Sequence, residues 1–214
     1  MRPAGIDRDG WPFIAAFALP ALLLAAAGRR AAALPPGVLA AAMALFFRNP
    51  DRSCDHLQVD PADVLAPADG NVVHAGRPEP GVAPPGEWQQ ISIFLSLLDV
   101  HMNRSPYLGH VTRTDYRPGR YLAAFRPGAA TENERTEIWL ADGPERTVVF
   151  RQVVGLLARR IVLRAAVGDR LRTGQRIGLM KFGSRMDVFV PPDCTVLVDK
   201  GDRVRGGETV IARW

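Results

Sequence analysis

Cysteine and lysine are nearly missing from this sequence. Of 214 residues, two are cysteines, Cys54 and Cys194, and only Lys181 and Lys200 are lysines. The cysteines stand far apart, form no C-x-x-C pair and have no histidines at zinc-finger spacing, which removes the usual basis for a structural zinc site. They read as two inert packed thiols in a reducing compartment, with a single disulfide as the other reading. Positive charge is therefore carried by arginine. The formal excess is only +5, which leaves nucleic acid, phospholipid headgroups and acidic metabolites all open as partners. The length allows one good-sized core with a small appendage, but not two large domains.

Charge is also absent from two early stretches. Residues 11–27, WPFIAAFALPALLLAAA, and residues 31–47, AAALPPGVLAAAMALFF, hold none, and Arg29 and Arg30 lie between them. The pattern predicts an apolar helical hairpin over residues 1–47. Each arm reaches about 25 Å at ~1.5 Å per residue, slightly short of the ~30 Å hydrocarbon core. A two-pass hairpin and one dipping into a single leaflet both fit. Arg2 and Arg8 precede the first arm, and Arg48 and Arg52 follow the second, so basic residues flank every end and give no clean orientation. A signal peptide ending at Ala25-Ala26-Ala27 is a competing reading of the first arm, weakened by the second arm that follows at once. A buried hairpin in a soluble core is weakened by the lack of any polar face. The expectation is association with the cell membrane, the rest of the chain lying on the cytoplasmic face.

Beyond Asp51 there is little helical periodicity. Proline and glycine recur every few residues, and Asn71-Val-Val-His74, Ile91-Ser-Ile-Phe-Leu95 and Thr147-Val-Val-Phe150 are rich in β-branched and aromatic residues, which predicts strands punctuated by turns. Residues 48–214 are read as one β-rich domain. Two segments within it are similar, Gly168-Asp-Arg-Leu-Arg-Thr-Gly174 and Gly201-Asp-Arg-Val-Arg-Gly-Gly207. Glycine and aspartate suit a tight turn, the apolar residue enters a strand, and the second glycine allows another turn. Leu65-Ala-Pro-Ala-Asp-Gly70-Asn-Val-Val looks like a third such element. The fold expected is mainly β, a flattened β-barrel or sandwich with quasi-repeats similar to lipoyl- and biotinyl-type domains.

Between the two repeats lies Leu179-Met-Lys-Phe-Gly183-Ser184-Arg-Met-Asp-Val-Phe-Val-Pro191. Glycine and serine followed by arginine, a hydrophobic residue and aspartate, then an apolar strand ending in proline, resembles the processing site of short-form phosphatidylserine decarboxylases. Phe46-Phe-Arg-Asn-Pro-Asp-Arg52, Ala66-Pro-Ala-Asp-Gly70, Phe94-Leu-Ser-Leu-Leu-Asp-Val-His101-Met-Asn-Arg-Ser-Pro106 and, more weakly, Asn133-Glu-Arg135 resemble the same family, in order. Longer relatives carry Leu-Gly-Ser-Thr where this sequence has Phe182-Gly-Ser-Arg185, which points to the short branch.

The resemblance implies a self-processing enzyme. The Ser184 hydroxyl attacks the Gly183 carbonyl, the resulting ester is lost by elimination, and position 184 becomes a pyruvoyl group with release of ammonia. The chain is then cut into 1–183 (the β chain) and 184–214 (the α chain), which stay associated. The pyruvoyl group forms a Schiff base with the substrate amine, and no metal or pyridoxal is implied. The resemblance gives His101 the part of base, apt because its reference pKa, roughly 6.5, lies near neutrality. Asp69 is the carboxylate that fixes its tautomer, with Asp99 as rival. Arg104, Asn133 and Arg135 are offered as contacts to a phosphodiester or carboxylate, although ordinary structural ion pairs would account for each equally well.

The substrate implied is a serine phospholipid, with phosphatidylserine converted to phosphatidylethanolamine and no nucleic acid involved. Such β folds often dimerise. His56, His74 and His110 fall in no matched motif. The contrasting reading is a biotinyl- or lipoyl-like carrier, or a membrane adaptor, using Lys181 in the Leu179-Met-Lys-Phe turn; it leaves the D-V-H-M-N-R-S-P and F-F-R-N-P-D-R stretches unexplained.

Overall fold

The computed structural model describes residues 5–52, 60–123, 126, 128–144, 146–156, 160–181 and 184–214, without the side chain of Ser184. Cys54, His56, Phe182 and Gly183 thus lie outside the described residues. The chain divides into two compact units, Met1–Asp51 and Arg52–Trp214.

In the first unit, α1 (Trp11–Ala26) and α2 (Arg30–Phe46) form the hairpin, with Gly28 at φ +77 in the turn. Pro12 sits in the first turn of α1, where a missing N–H costs nothing. A short antiparallel pair closes the open end, β1 (Gly5–Ile6) against β2 (Arg48–Asn49). Phe13 stacks on Phe47 with ring centroids 5.3 Å apart. Phe47 also lies so close to Gly10 that a Cβ there would come within 2.4 Å of it. No residue of α1 is buried, and Leu19, Leu22, Leu23, Leu34 and Val38 are all exposed.

Among the described residues of the second unit, the four-residue α3 (Ala129–Glu132) is the one helix, and the regular structure is otherwise β. Its strands are β3 (Asp63–Leu65), β4 (Gly70–Gly76), β5 (Gln89–Phe94), β6 (Met102–Arg104), β7 (Gly109–Arg117), β8 (Arg135–Asp142), β9 (Arg146–Val154) and β10 (Arg160–Leu163). They continue as β11 (Arg170–Leu171), β12 (Arg176–Lys181), β13 (Ser184–Val190), β14 (Thr195–Val196), β15 (Arg203–Val204) and β16 (Val210–Arg213). Eight strands make a curled half-barrel in the order β11-β7-β8-β9-β13-β5-β4-β15, beside the three-stranded sheets β10-β12-β6 and β14-β16-β3. All named strand pairs are antiparallel.

Alternation along the central strands builds two buried faces. Ile91, Ile93, Met186, Val188, Phe150, Val148 and Ile138 join the main apolar core. The residues between them, Gln90, Ser92, Arg185, Asp187, Arg151 and Glu137, are buried too, and they bond to one another, with Asp187 Oδ2 left without a hydrogen-bond partner among the described residues. Arg185 Nε donates to Asp187 Oδ1 at 2.6 Å and Nη2 to Ser92 Oγ at 2.9 Å, and Nη2 also pairs with Glu79. Arg151 pairs with Glu137 and lies over the Phe189 ring at 4.8 Å.

The two G-D segments fold alike. In each, the aspartate Oδ2 accepts the N–H three residues earlier, Asp169 from Ala166 at 2.9 Å and Asp202 from Asp199 at 2.8 Å. Gly168 and Gly201 donate to Val111 O and Val72 O, both at 2.8 Å. Gly174 and Gly207 close the units at φ +73 and +78, a conformation that favours glycine. The supposed third copy is corrected: Gly70 and Asn71 pair with Val204 and Arg203, so that segment is the partner strand of the second unit. Its counterpart is Gly109-His110, paired with Leu171 and Arg170. Its aspartate, Asp69, caps no turn of its own and is held from elsewhere in the chain.

Candidate active site

Several strand ends meet at one end of the half-barrel. Ser184 is the first residue of β13; it pairs with Val154 at the end of β9, and Arg185 pairs with Phe94 at the end of β5. On the neighbouring sheet, Met102 pairs with Leu179. His101 directly precedes Met102, and Ser184 follows the last residue of β12, Lys181, by three residues. The cleavage-site residue Gly183 and the Ser184 side chain are not among the described groups.

His101 is almost fully buried, at 1% exposure. Its Nδ1 lies 2.9 Å from the main-chain carbonyl of Asp99. A carbonyl only accepts, so Nδ1 carries a proton, and in the neutral ring the lone pair is then on Nε2. The hydrogen bond that selects the tautomer thus comes from the Asp99 main chain rather than from the carboxylate of Asp69 or of Asp99. The Asp99 carboxylate accepts from Ser96 N at 2.8 Å and Ser96 Oγ at 2.7 Å, and pairs with Arg203. These contacts pin the turn that leads into His101.

Asp69 is buried beside this turn. Both its oxygens face Arg52, with Nη2 to Oδ2 at 2.9 Å, and Gly206 N donates to Oδ1 at 2.8 Å. Burial alone would raise the carboxyl pKa, but the Arg52 hydrogen bonds and charge, with the N–H groups of Gly206 and Val100, hold it below its ordinary value. Asp69 is therefore an anion placed against the Val100 N–H, one residue before His101.

The three residues read as substrate contacts are all engaged within the protein. Arg104 is buried and donates to the carbonyls of Gly174 at 3.0 Å and Arg52 at 3.4 Å. Asn133 accepts from Leu122 N at 2.9 Å and donates to Leu122 O and Val154 O, both at 2.8 Å. It staples the 120–122 segment to the residue paired with Ser184. Arg135 is half-buried and donates to Thr131 O at 2.6 Å and Asn133 O at 3.1 Å. Burial, then the like charges of Arg151 and Arg117, push its pKa down. Lys181 ends β12 half-buried, in register with Arg160.

Arg52 was part of a matched stretch, but only its contact with Asp69 reveals its place in the site. Asn103 and Gln152 gave no sequence signal beyond being polar in apolar strands; both are fully buried and lie 2.8 Å apart, Nε2 to Oδ1.

The family model described as phosphatidylserine decarboxylase matches residues 39–212. A phosphatidylserine decarboxylase proenzyme of Symbiobacterium thermophilum is 44% identical over 213 residues, covering 100% of this chain and 97% of that protein. Proteins of the same description from Saccharopolyspora erythraea and Nitrosomonas eutropha are 42% and 40% identical, covering 99% and 98% of this chain and 87% and 95% of their own lengths. Given this match along nearly the whole sequence, the chain belongs to the phosphatidylserine decarboxylase family.

Proposed function

We propose that the chain is a proenzyme that cuts itself between Gly183 and Ser184 and then, as a two-chain carboxy-lyase, converts phosphatidylserine to phosphatidylethanolamine. What supports this reading is that His101 directly precedes Met102, which pairs with Leu179 near the end of β12, while Ser184 opens β13 three residues after β12 ends. The ordered motifs and the family membership support it.

In the cutting step, His101 Nε2 takes the proton of the Ser184 hydroxyl as its oxygen attacks the Gly183 carbonyl, and the peptide bond becomes an ester. Removal of the Ser184 α-proton then expels residue 183 as a carboxylate. The group left at position 184 hydrolyses, with loss of ammonia, to a pyruvoyl cap. The fold suits such a terminus: β13 is paired from its first residue with β9 and from its second with β5, so the cut end stays held on both sides.

The pyruvoyl group supplies an electron sink for the electrons released when the substrate carboxylate leaves as carbon dioxide. The protein's own part is to hold and move protons. Asp99 O fixes the tautomer of His101, Asp69 and Arg52 secure the preceding backbone, and His101 returns a proton to the substrate carbon. Arg135 is the one proposed lipid contact only half-buried, and its guanidinium faces the headgroup phosphate or carboxylate; Asn133 positions the backbone beside it, and Arg104 ties the carbonyls of Gly174 and Arg52. The apolar hairpin anchors the protein in the cell membrane, with the catalytic unit on the cytoplasmic side. A carrier using Lys181 would want that side chain displayed on a turn, and its half-buried place at the end of β12 does not favour this.

The test is replacement of Ser184. Ser184→Ala should yield one uncut chain with no decarboxylase activity on phosphatidylserine; a cut chain, or an uncut active one, would overturn the reading.

A further inference from the structure

The end of the half-barrel that carries Ser184 also carries exposed leucines. Phe94, Ser184 and Val154 mark neighbouring strand ends, and the chain leaves that end from β5 into residues 95–101 and from β9 into residues 155 onward. In the first exit Leu95, Asp99 and Val100 are buried, while Leu97 and Leu98 are 49% and 74% exposed. In the second, Leu156 is 62% exposed. Large aliphatic side chains at loop tips are uncommon on a surface meant only for water.

Cations flank these tips. Arg160 is exposed at the start of β10, opposite Lys181, and Arg205, just after β15, is 73% exposed while sharing its charge with Glu208 at 3.7 Å. The acid in the leucine loop, Asp99, is buried and paired with Arg203, so it adds no open negative charge. Apolar tips beside arginines are complementary to an anionic bilayer, where the leucines enter the acyl boundary and the arginines meet headgroups.

We propose that this end docks directly on an anionic lipid surface, with Leu97, Leu98 and Leu156 inserted and Arg160 and Arg205 on headgroups. The substrate then reaches the Ser184 end without leaving the bilayer. The inference rests on the proposed lipid decarboxylase function, and it adds a contact separate from the N-terminal hairpin.

The experiment uses the full processed protein, with amide hydrogen exchange followed with and without phosphatidylcholine vesicles containing phosphatidylserine. Peptides covering 95–98 and 155–156 should become protected on these vesicles, and less so on phosphatidylcholine alone. In a Leu97→Ser, Leu98→Ser, Leu156→Ser variant the protection should vanish. The ratio of activity on vesicles to activity on monomeric short-chain phosphatidylserine should fall at least about tenfold. Leu98→Ser alone, at the most exposed site, should show a smaller fall in the same direction.

Exchange unaffected by vesicles, protection already present without them because a second copy covers the leucines, or an unchanged activity ratio would each overturn the docking proposal. Vesicle-dependent protection in a protein that decarboxylates neither lipid form would uphold docking while sinking the decarboxylase reading.

Discussion

Gln152 donates its side-chain amide to Asn103 Oδ1 at 2.8 Å, joining β9 to β6 between two sheets. The strand β6 follows His101, and β9 ends at the partner of Ser184. This buried amide pair therefore ties the strand of the proposed base to the strand beside the proposed nucleophile. Among the described residues, Gln152 Oε1 and Asn103 Nδ2 have no partner. Gln152→Leu removes the tie and strands Asn103 Oδ1, which should cost about 1–3 kcal/mol in urea unfolding. Self-cutting in a time course of fresh protein should also slow. Lost stability with an unchanged cutting rate would make the tie purely structural.

The pair of Asp69 with Arg52 predicts an acid limit. The Asp69 carboxyl is held below its ordinary value, so its contribution is fully present above the unfolded value near 3.8 and is lost as the pH falls through the folded one. Asp69→Asn leaves Arg52 half-buried with only Glu208, 3.3 Å from its Nε, as an anion, at a cost of roughly 1–3 kcal/mol. Thermal unfolding scanned against pH should show the wild type losing stability below about pH 4, with the variant less stable at neutrality and flatter over that range. Identical acid profiles would contradict the assignment.

The elements that depend on near neighbours in the chain were legible in the sequence. The hairpin follows from two uncharged runs around Arg29 and Arg30, and the G-D units follow from glycines and aspartates a few residues apart. Pairing across the fold was not. The sequence sets Asp69 with His101 itself, but its partners are Arg52, the Val100 N–H and Gly206, the last 137 residues away, and no local spacing announces such contacts. Asn133 carries polar groups suited to a ligand, yet the fold consumes them on Leu122 and Val154. The buried charges of β8, β9 and β13 were hidden for a related reason. A strand covered on both faces breaks the rule that polar residues point to water.

Cys194 is buried and unbridged. Burial, then the nearby Asp193, pushes its thiol up to about 12, so it stays protonated and unreactive at neutral pH. Iodoacetamide at pH 8 should leave it unmodified in the native protein and label it after unfolding, as peptide mass mapping would show. Because the raised value favours the neutral thiol, its contribution to stability is present below the ordinary value near 9 and declines as the pH rises toward the folded one. Rapid native labelling of Cys194 would contradict the packing described.

The hairpin should hold the protein in membranes without help from charge. One helical stretch, Arg8–Ala26, is long and apolar enough to cross a bilayer, and Leu19, Leu22 and Leu23 stand 60%, 66% and 71% exposed. Burying each such side chain is worth roughly 1.5–3 kcal/mol. Washing membranes with high salt or alkaline carbonate should leave the protein in the pellet, whereas an electrostatic binder would be stripped. Release by either wash would place the attachment elsewhere.

The most direct measurement of the central claim is intact-mass analysis of the purified protein under denaturing conditions, run beside Ser184→Ala and His101→Ala. The wild type should give two chains, residues 1–183 and a 184–214 fragment whose blocked N-terminus has the mass of a pyruvoyl group. The Ser184 variant should give one uncut chain, and the His101 variant impaired cutting. A single full-length wild-type chain, or one modified on Lys181, would contradict the claim.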